Sequence, residues 1–341
     1  MAFETQAASS PNDLLDKVRL FLVANGWTQN GWAAVGSGYR LHIQKGNQYV
    51  NLRSATNEQP LDSNTAGYGI AAYGSDGYDG GLAWSAQPGA SSIVPSPYTV
   101  VGVGFNIKST GVLAYYIFAN GDYCHLITKI TNPYGGELKY TYLSFGKLNC
   151  FEPDMDKGYY LLGQRSSAYM CYRINEGYTT FYYHDYLPGG GGTGQDGPLF
   201  LRVNQPNLVV PVQGWCSRGT VWPYGKENNL HKRVVICNVG EPSLGTEIDH
   251  LRNTTTNFYR SMKNTFNSLS VTFPMTIYLY DAIDASGGWI PIGTIPGMFY
   301  TRVDSFTPGD RYTFGGLNYR PFPWSRIDIA NNFIDGCTCV E

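Results

Sequence analysis

Between residues 10 and 26 the apolar positions recur at helical spacing: Leu14, Val18, Phe21 and Leu22 fall at i, i+4, i+7 and i+8. Ser10 stands where an N-cap belongs, Pro11 takes the first helical position and Asp13 lies three residues past the cap. Asn25 and Gly26 stand where such a helix ends. A helix with one apolar stripe must lie against something, most simply the hairpin that follows. There "YRLHIQK" and "QYVNLRS" read as strands joined across Gly46 and Asn47, a tight-turn pair. From about residue 56 to 97 no period lasts and Gly, Ser, Ala, Pro and Asp dominate, which predicts a long loop. A loop of that length carries an interaction or an inserted function.

Short aromatic or β-branched runs then follow one another: "YTVVGVGFNI", "VLAYYIFAN", "YCHLITKITN", "ELKYTYLSFGKL", "GYYLLGQ", "AYMCYRI" and "TTFYYHDY". Gly, Asn, Pro or Asp bounds each of them, as in an antiparallel meander or sandwich. "LPGGGGTGQDGP", residues 187–198, reads as a flexible tip or a linker around Gly190. Strand-like runs resume with "LFLRV", "NLVVPVQGW" and "RVVICNV", and later with "LSVTFPMTIYLYDA", "GWIPIGTIPGMFYTR" and "RYTFGGLNYRPFPWSR". Between them Ile248, Leu251, Phe258, Met262 and Phe266 nearly keep helical spacing, weakened by the β-branched run Thr254–Thr256. The pattern predicts a mainly β protein: an antiparallel β-sandwich or meander with one N-terminal amphipathic helix and long Gly-rich loops. It divides into 1–97 (helix, hairpin and long loop), 98–240 (antiparallel β domain) and 241–341 (a C-terminal extension with β segments), or runs as one continuous β-core.

Composition sharpens this. Aromatic residues make up 15% of the 341 positions and Gly supplies 41, whereas charged residues reach only 15%, a profile of aromatic strands and tight turns. The 24 basic and 26 acidic residues form no long run of either sign, which argues against nucleic acid as a partner. "MAFETQAASSPND" lacks a basic region followed by an apolar run, and no later stretch approaches the ~18 apolar residues of a membrane span. The expectation is a soluble chain, not exported by a recognisable signal and with no membrane partner. Its seven cysteines are an odd set, mostly within apolar runs, which fits folding in a reducing compartment. Cys337 and Cys339 form the one clustered pair, and are expected on an exposed tail or in an intersubunit disulfide.

Candidate chemistry is sparse. In "YCHLITKIT" alternation puts Cys124, Leu126, Thr128 and Ile130 on one face and His125, Ile127 and Lys129 on the other. Cys124 and His125 therefore point apart and cannot form a nucleophile pair; a core Cys beside a surface or interface His is expected. No G-x-S-x-G elbow, H-E-x-x-H, Walker loop or kinase signature occurs, and "SDGYDGG" lacks the spaced oxygen ligands of a calcium loop. Glu152, Asp154, Asp156 and Asp185 are the acids from which a glycoside hydrolase could be built, but solvated turn carboxylates are the simpler reading. The chain is expected to be non-enzymatic, with no catalytic, cofactor or metal-binding residue. The contact loops expected are those carrying Tyr68, Tyr73, Tyr78 and Trp84, whose rings could also stack on sugars, and the Gly190 region.

Several segments together resemble a family of virion structural proteins of tailed bacteriophages and prophages: "MAFETQAASSPNDLLDKVRLFLVANGW", "YRLHIQKGNQYVNLRSA", "YYIFANGDYCHLITKI" with "YTYLSFGKL", and "GMFYTRVDSFTPGDRYTFGGLNYRPFPWSR". The resemblance implies a particle component assembled in the bacterial cytoplasm. It would oligomerise in the tail, neck or baseplate, or serve as a head-decoration protein, and the aromatic loops add the alternative of a virion protein that binds a host-surface glycan. Its partners would be copies of itself and other virion proteins, with no cofactor.

Overall fold

Strand-forming runs separated by tight turns pair with their sequence neighbours, and the computed structural model describes the result for residues 1–58, 67–90, 101–103, 112–131, 138–152, 156–165, 199–205, 212–217, 234–236, 272–281, 288–303, 306–328 and 333–341. In chain order the elements are β1 (Ala2–Ala8), α1 (Pro11–Ala24), β2 (Thr28–Val35), β3 (Gly38–Lys45), β4 (Gln48–Glu58), β5 (Gly67–Ser75) and β6 (Val101–Val103). They continue with β7 (Val112–Ala119), β8 (Tyr123–Thr131), β9 (Leu138–Lys147), β10 (Asn149–Cys150), β11 (Asp156–Arg165), β12 (Leu199–Gln205) and β13 (Val212–Ser217). The last are β14 (Val234–Ile236), β15 (Phe273–Asp281), β16 (Gly288–Arg302), β17 (Tyr312–Phe314), β18 (Leu317–Asp328) and β19 (Phe333–Val340). The fold is mainly β and its strand pairs are antiparallel, as the alternation predicts.

The helix forms where its signals stand. Ser10 Oγ accepts from the Asp13 N–H at 3.1 Å, Pro11 opens the first turn, and Gly26 leaves the helix with φ 84°. Its buried stripe is Leu14, Leu15, Val18, Phe21 and Leu22, each stabilising the fold by roughly 2 kcal/mol relative to exposure.

The first sheet runs β1–β7–β8–β9–β11 and divides at β11. The first part of β11 pairs with β12, which carries β13, and its end pairs with β6, followed by β5, β4, β3 and β2. The second sheet runs β14–β15–β16–β19–β18–β17, with β10 paired to β16. The meander β7–β8–β9–β11 is a middle layer. One face, with Ile117, Cys124, Leu126, Leu143, Phe145 and Leu161, packs against α1 and the β3–β5 hairpins. The other, with Phe118, Ile127, Tyr142, Tyr160 and Leu162, packs against Met275, Ile277, Ile292, Met298, Phe322 and their neighbours on the second sheet.

The long loop expected over 56–97 is partly strand: β4 continues to Glu58 and β5 occupies 67–75. The run "GYGIAAYGS" hides its period because Ala71 and Ala72 fill buried positions where larger side chains would signal a strand. β1 and β2, polar edge strands without clear alternation, were likewise not foreseen. The second helical pattern, the runs "AYMCYRI" and "TTFYYHDY", and Gly190 lie outside the described residues. Among the described residues no helix is long and apolar enough to cross a membrane.

Candidate functional site

Residues 76–90 form a closed loop over the outward face of β3–β5, its ends joined by the Asp76 N–H donating to the Pro88 carbonyl at 2.9 Å. Arg202 on β12 ties the loop down, donating from Nε and Nη2 to the two Asp76 carboxylate oxygens at 2.7 and 2.9 Å. Inside, Tyr73 donates to the Trp84 carbonyl and meets the Trp84 ring edge-on at 5.1 Å. The loop's aromatics therefore hold it closed: Tyr73 and Trp84 are buried. Tyr78 is half-buried and lies on the His42 ring, with centroids 4.9 Å apart. Tyr68 sits on β5 opposite Thr56. Of the expected contact aromatics, only Tyr78 is brought towards the surface with its side chain described.

Below Tyr78 runs a buried polar string. His42 Nδ1 lies 2.6 Å from Asn51 Oδ1, and Asn51 Nδ2 donates to Ser75 Oγ at 2.9 Å. An amide oxygen only accepts, so Nδ1 carries the imidazole proton. Burial lowers the tendency of His42 to take a second.

His125 corrects the expectation of a surface side chain. It is 0% exposed, because the middle layer is covered on both faces. Its Nε2 lies 2.8 Å from the Pro296 carbonyl and its Nδ1 2.6 Å from Ser144 Oγ, which is 3.2 Å from Tyr160 Oη. The carbonyl can only accept, which puts the proton on Nε2. Ser144 must then donate to Nδ1, and Tyr160 to Ser144. Pro296 has its carbonyl free for this because the pairing of β15 with β16 shifts register between Pro274 and Thr276. The string ties the middle layer to the second sheet, and burial pushes the His125 pKa down to about 4 against a small opposing effect of the Pro296 bond. Cys124 faces the opposite core, so the two point apart as alternation requires.

Cys337 and Cys339 are not on a tail. They are free thiols, 0% exposed, side by side on the core face of β19, a strand flanked by β16 and β18. A bond to another subunit would require β19 to leave the sheet. Burial raises the Cys124 and Cys339 thiols well above their ordinary range, Cys339 also by its neighbour Cys337. Iodoacetamide treatment of folded protein, followed by peptide mass spectrometry, is therefore expected to leave Cys124, Cys337 and Cys339 unmodified. Urea should expose all three, and native-state labelling of either β19 thiol would contradict this placement.

Among the expected acids, Glu152 is exposed, Asp156 opens β11 opposite Asn204, and Asp154 and Asp185 lie outside the described residues. Among the described residues no three His, Cys, Asp or Glu side chains gather as a metal site would require. Among the described residues the surface also presents an apolar pair. The β17–β18 hairpin ends in Phe314-Gly315-Gly316-Leu317, with Phe314 68% and Leu317 49% exposed and both glycines at positive φ. Phe314 and Leu317 are the closing cross-strand pair, and β17 is an edge strand of the second sheet. The exposed pair was not foreseen, although the Gly-Gly turn between two aromatic runs was a hairpin signal. Comparison with protein-family models and with curated proteins finds no match.

Proposed function

We propose that this chain is a non-enzymatic structural component of a tailed-phage particle, assembled in the bacterial cytoplasm and oligomerising in the tail, neck or baseplate. The observation that carries the reading is the hairpin tip: an apolar Phe314–Leu317 pair held out on an edge strand, where burial against a neighbouring molecule returns the energy its exposure withholds. The segment resemblance supplies the particle. The placement of reactive side chains is consistent with it, since His125, Cys124, Cys337 and Cys339 serve the cores between layers.

Mass spectrometry of purified particles tests the reading, and absence of the chain from mature virions would remove it. Within that reading, Phe314→Asp with Leu317→Asp is expected to leave the unfolding midpoint of the isolated chain unchanged. Incorporation into particles in a complementation assay should drop at least tenfold, the equivalent of about 1.4 kcal/mol of contact. Normal incorporation of the double variant would show that the tip is not an assembly contact.

A further inference from the structure

The surface holds an aromatic platform elsewhere than the expected one. Trp32 on β2 pairs with Leu41, and Ala34 with Tyr39, so Trp32 and Tyr39 are diagonal neighbours on the sheet face that α1 covers. Their rings are parallel to within 3°, with centroids 4.8 Å apart. Arg19 of α1 lays its guanidinium on Trp32, 5.0 Å from the ring centroid. It is held there by two hydrogen bonds to Asp16 Oδ1, at 2.8 and 2.6 Å, and one to Gln29 Oε1 at 3.0 Å. Tyr39 is 37% exposed although one ring face is stacked, so more than a third of the residue stays open to solvent.

Polar groups of α1 flank the stack. Asn12, Asp16 and Arg19 share one row of α1. Asn12 Nδ2 donates to the Ser37 carbonyl at 3.1 Å, Asn12 Oδ1 accepts from Ser54 Oγ at 2.6 Å, and Ser54 Oγ also accepts from the Tyr39 N–H at 2.9 Å. The row thus touches the chain around Tyr39 at one end and Trp32 at the other, with Asp16 between. The Asp16 side chain is 43% exposed, and Oδ1 takes both Arg19 bonds, which leaves Oδ2 for an incoming donor.

We infer that Tyr39, Trp32 and Asp16 form a binding platform for a pyranose ring of a neutral or N-acetylated glycan. A sugar has a C–H face that lies on an aromatic ring and hydroxyls at its rim that donate to a carboxylate. A nucleotide would bring phosphate beside Asp16, and an extended peptide would need free backbone groups that Tyr39, paired with Ala34 on β2 and with its N–H given to Ser54 Oγ, does not offer. The stack is already ordered by Arg19, Asp16 and Gln29, so little side-chain freedom is lost on binding. The inference goes beyond the particle reading and does not need it, because binding is measured on the isolated chain.

The test is saturation-transfer NMR of the intact protein with maltohexaose, cellohexaose and chitohexaose, with tryptophan fluorescence as the titration signal. At least one should bind with Kd below about 1 mM. Tyr39→Ala and Asp16→Asn should each weaken it about tenfold, and Tyr39→Phe by less than about twofold. Absence of transfer from all three sugars, or equal binding by wild type and Tyr39→Ala with unchanged circular dichroism, overturns the inference. So does Tyr39-dependent binding of single-stranded DNA in place of the sugars.

Discussion

Lowering the pH from 7 to 4 is expected to cost the folded chain about 3 kcal/mol through His125 alone. The folded-state pKa is about 4 against an ordinary value of 6.5. Between those values the unfolded chain holds a proton that the folded chain refuses, so stability rises with pH across the window and is lost as pH falls through it. The slope is roughly 1.4 kcal/mol per pH unit for one group. Protonation would also put a second N–H on Nδ1, facing a Ser144 hydroxyl that already donates there, and Tyr160 would have to turn with it. His42 acts in the same direction. Urea unfolding followed by fluorescence from pH 7 to 4 checks this, with His125→Gln as the comparison. The variant should be weaker at neutral pH yet show a shallower slope, and equal slopes would show that His125 does not stay neutral in the fold.

Gly336→Ala is expected to be the most damaging small substitution in the second sheet. A Cβ there would lie 2.2 Å from the Phe322 carbonyl oxygen and 2.7 Å from Val303 Cγ1. The carbonyl belongs to β18, which β19 pairs through Gly336 and Pro323, so relief requires separating two strands in the sheet interior. A cost of about 3 kcal/mol follows, at the upper end of overpacking penalties. Gly77→Ala is the control, since its Cβ would meet only Pro88 at 3.6 Å and no strained φ stands in its way. If chemical denaturation finds the two variants equally stable, β18 and β19 are not packed as described.

The α1 boundaries and the β3–β4 hairpin were legible because local chemistry decides them: a cap, a proline, an asparagine-glycine stop and a Gly46 turn at φ 55°. The facing of Cys124 and His125 was legible too, since period two is a property of the strand itself. Which face meets water is not. "YCHLITKIT" was read as having an outward side, yet Ile127 beside His125, and Phe118 and Tyr142 on the adjacent strands, make both sides apolar, as in strands covered on two faces. Cys337 and Cys339 were misplaced for a related reason. Their position between β16 and β18 depends on β16, which reaches back past β18 to pair Tyr300 with Cys337 and Met298 with Cys339. The Trp32–Tyr39 stack escaped notice because the two residues become neighbours only once β2 and β3 are in register, whereas Tyr73 and Trp84 looked exposed in a Gly-rich text and turned inward to hold the 76–90 loop closed.

The order β16–β19–β18 also governs how the molecule can be made. The strand between them follows both in the chain, so during synthesis β16 and β18 emerge with bare edges that cannot be satisfied by each other without shutting out β19. Until residues 333–340 arrive, the β16 edge stays unpaired and the core beneath it open, the condition in which identical nascent chains stick together. Slow, crowded translation should therefore favour aggregates, and a chaperone that shields strand edges should raise the yield of soluble protein.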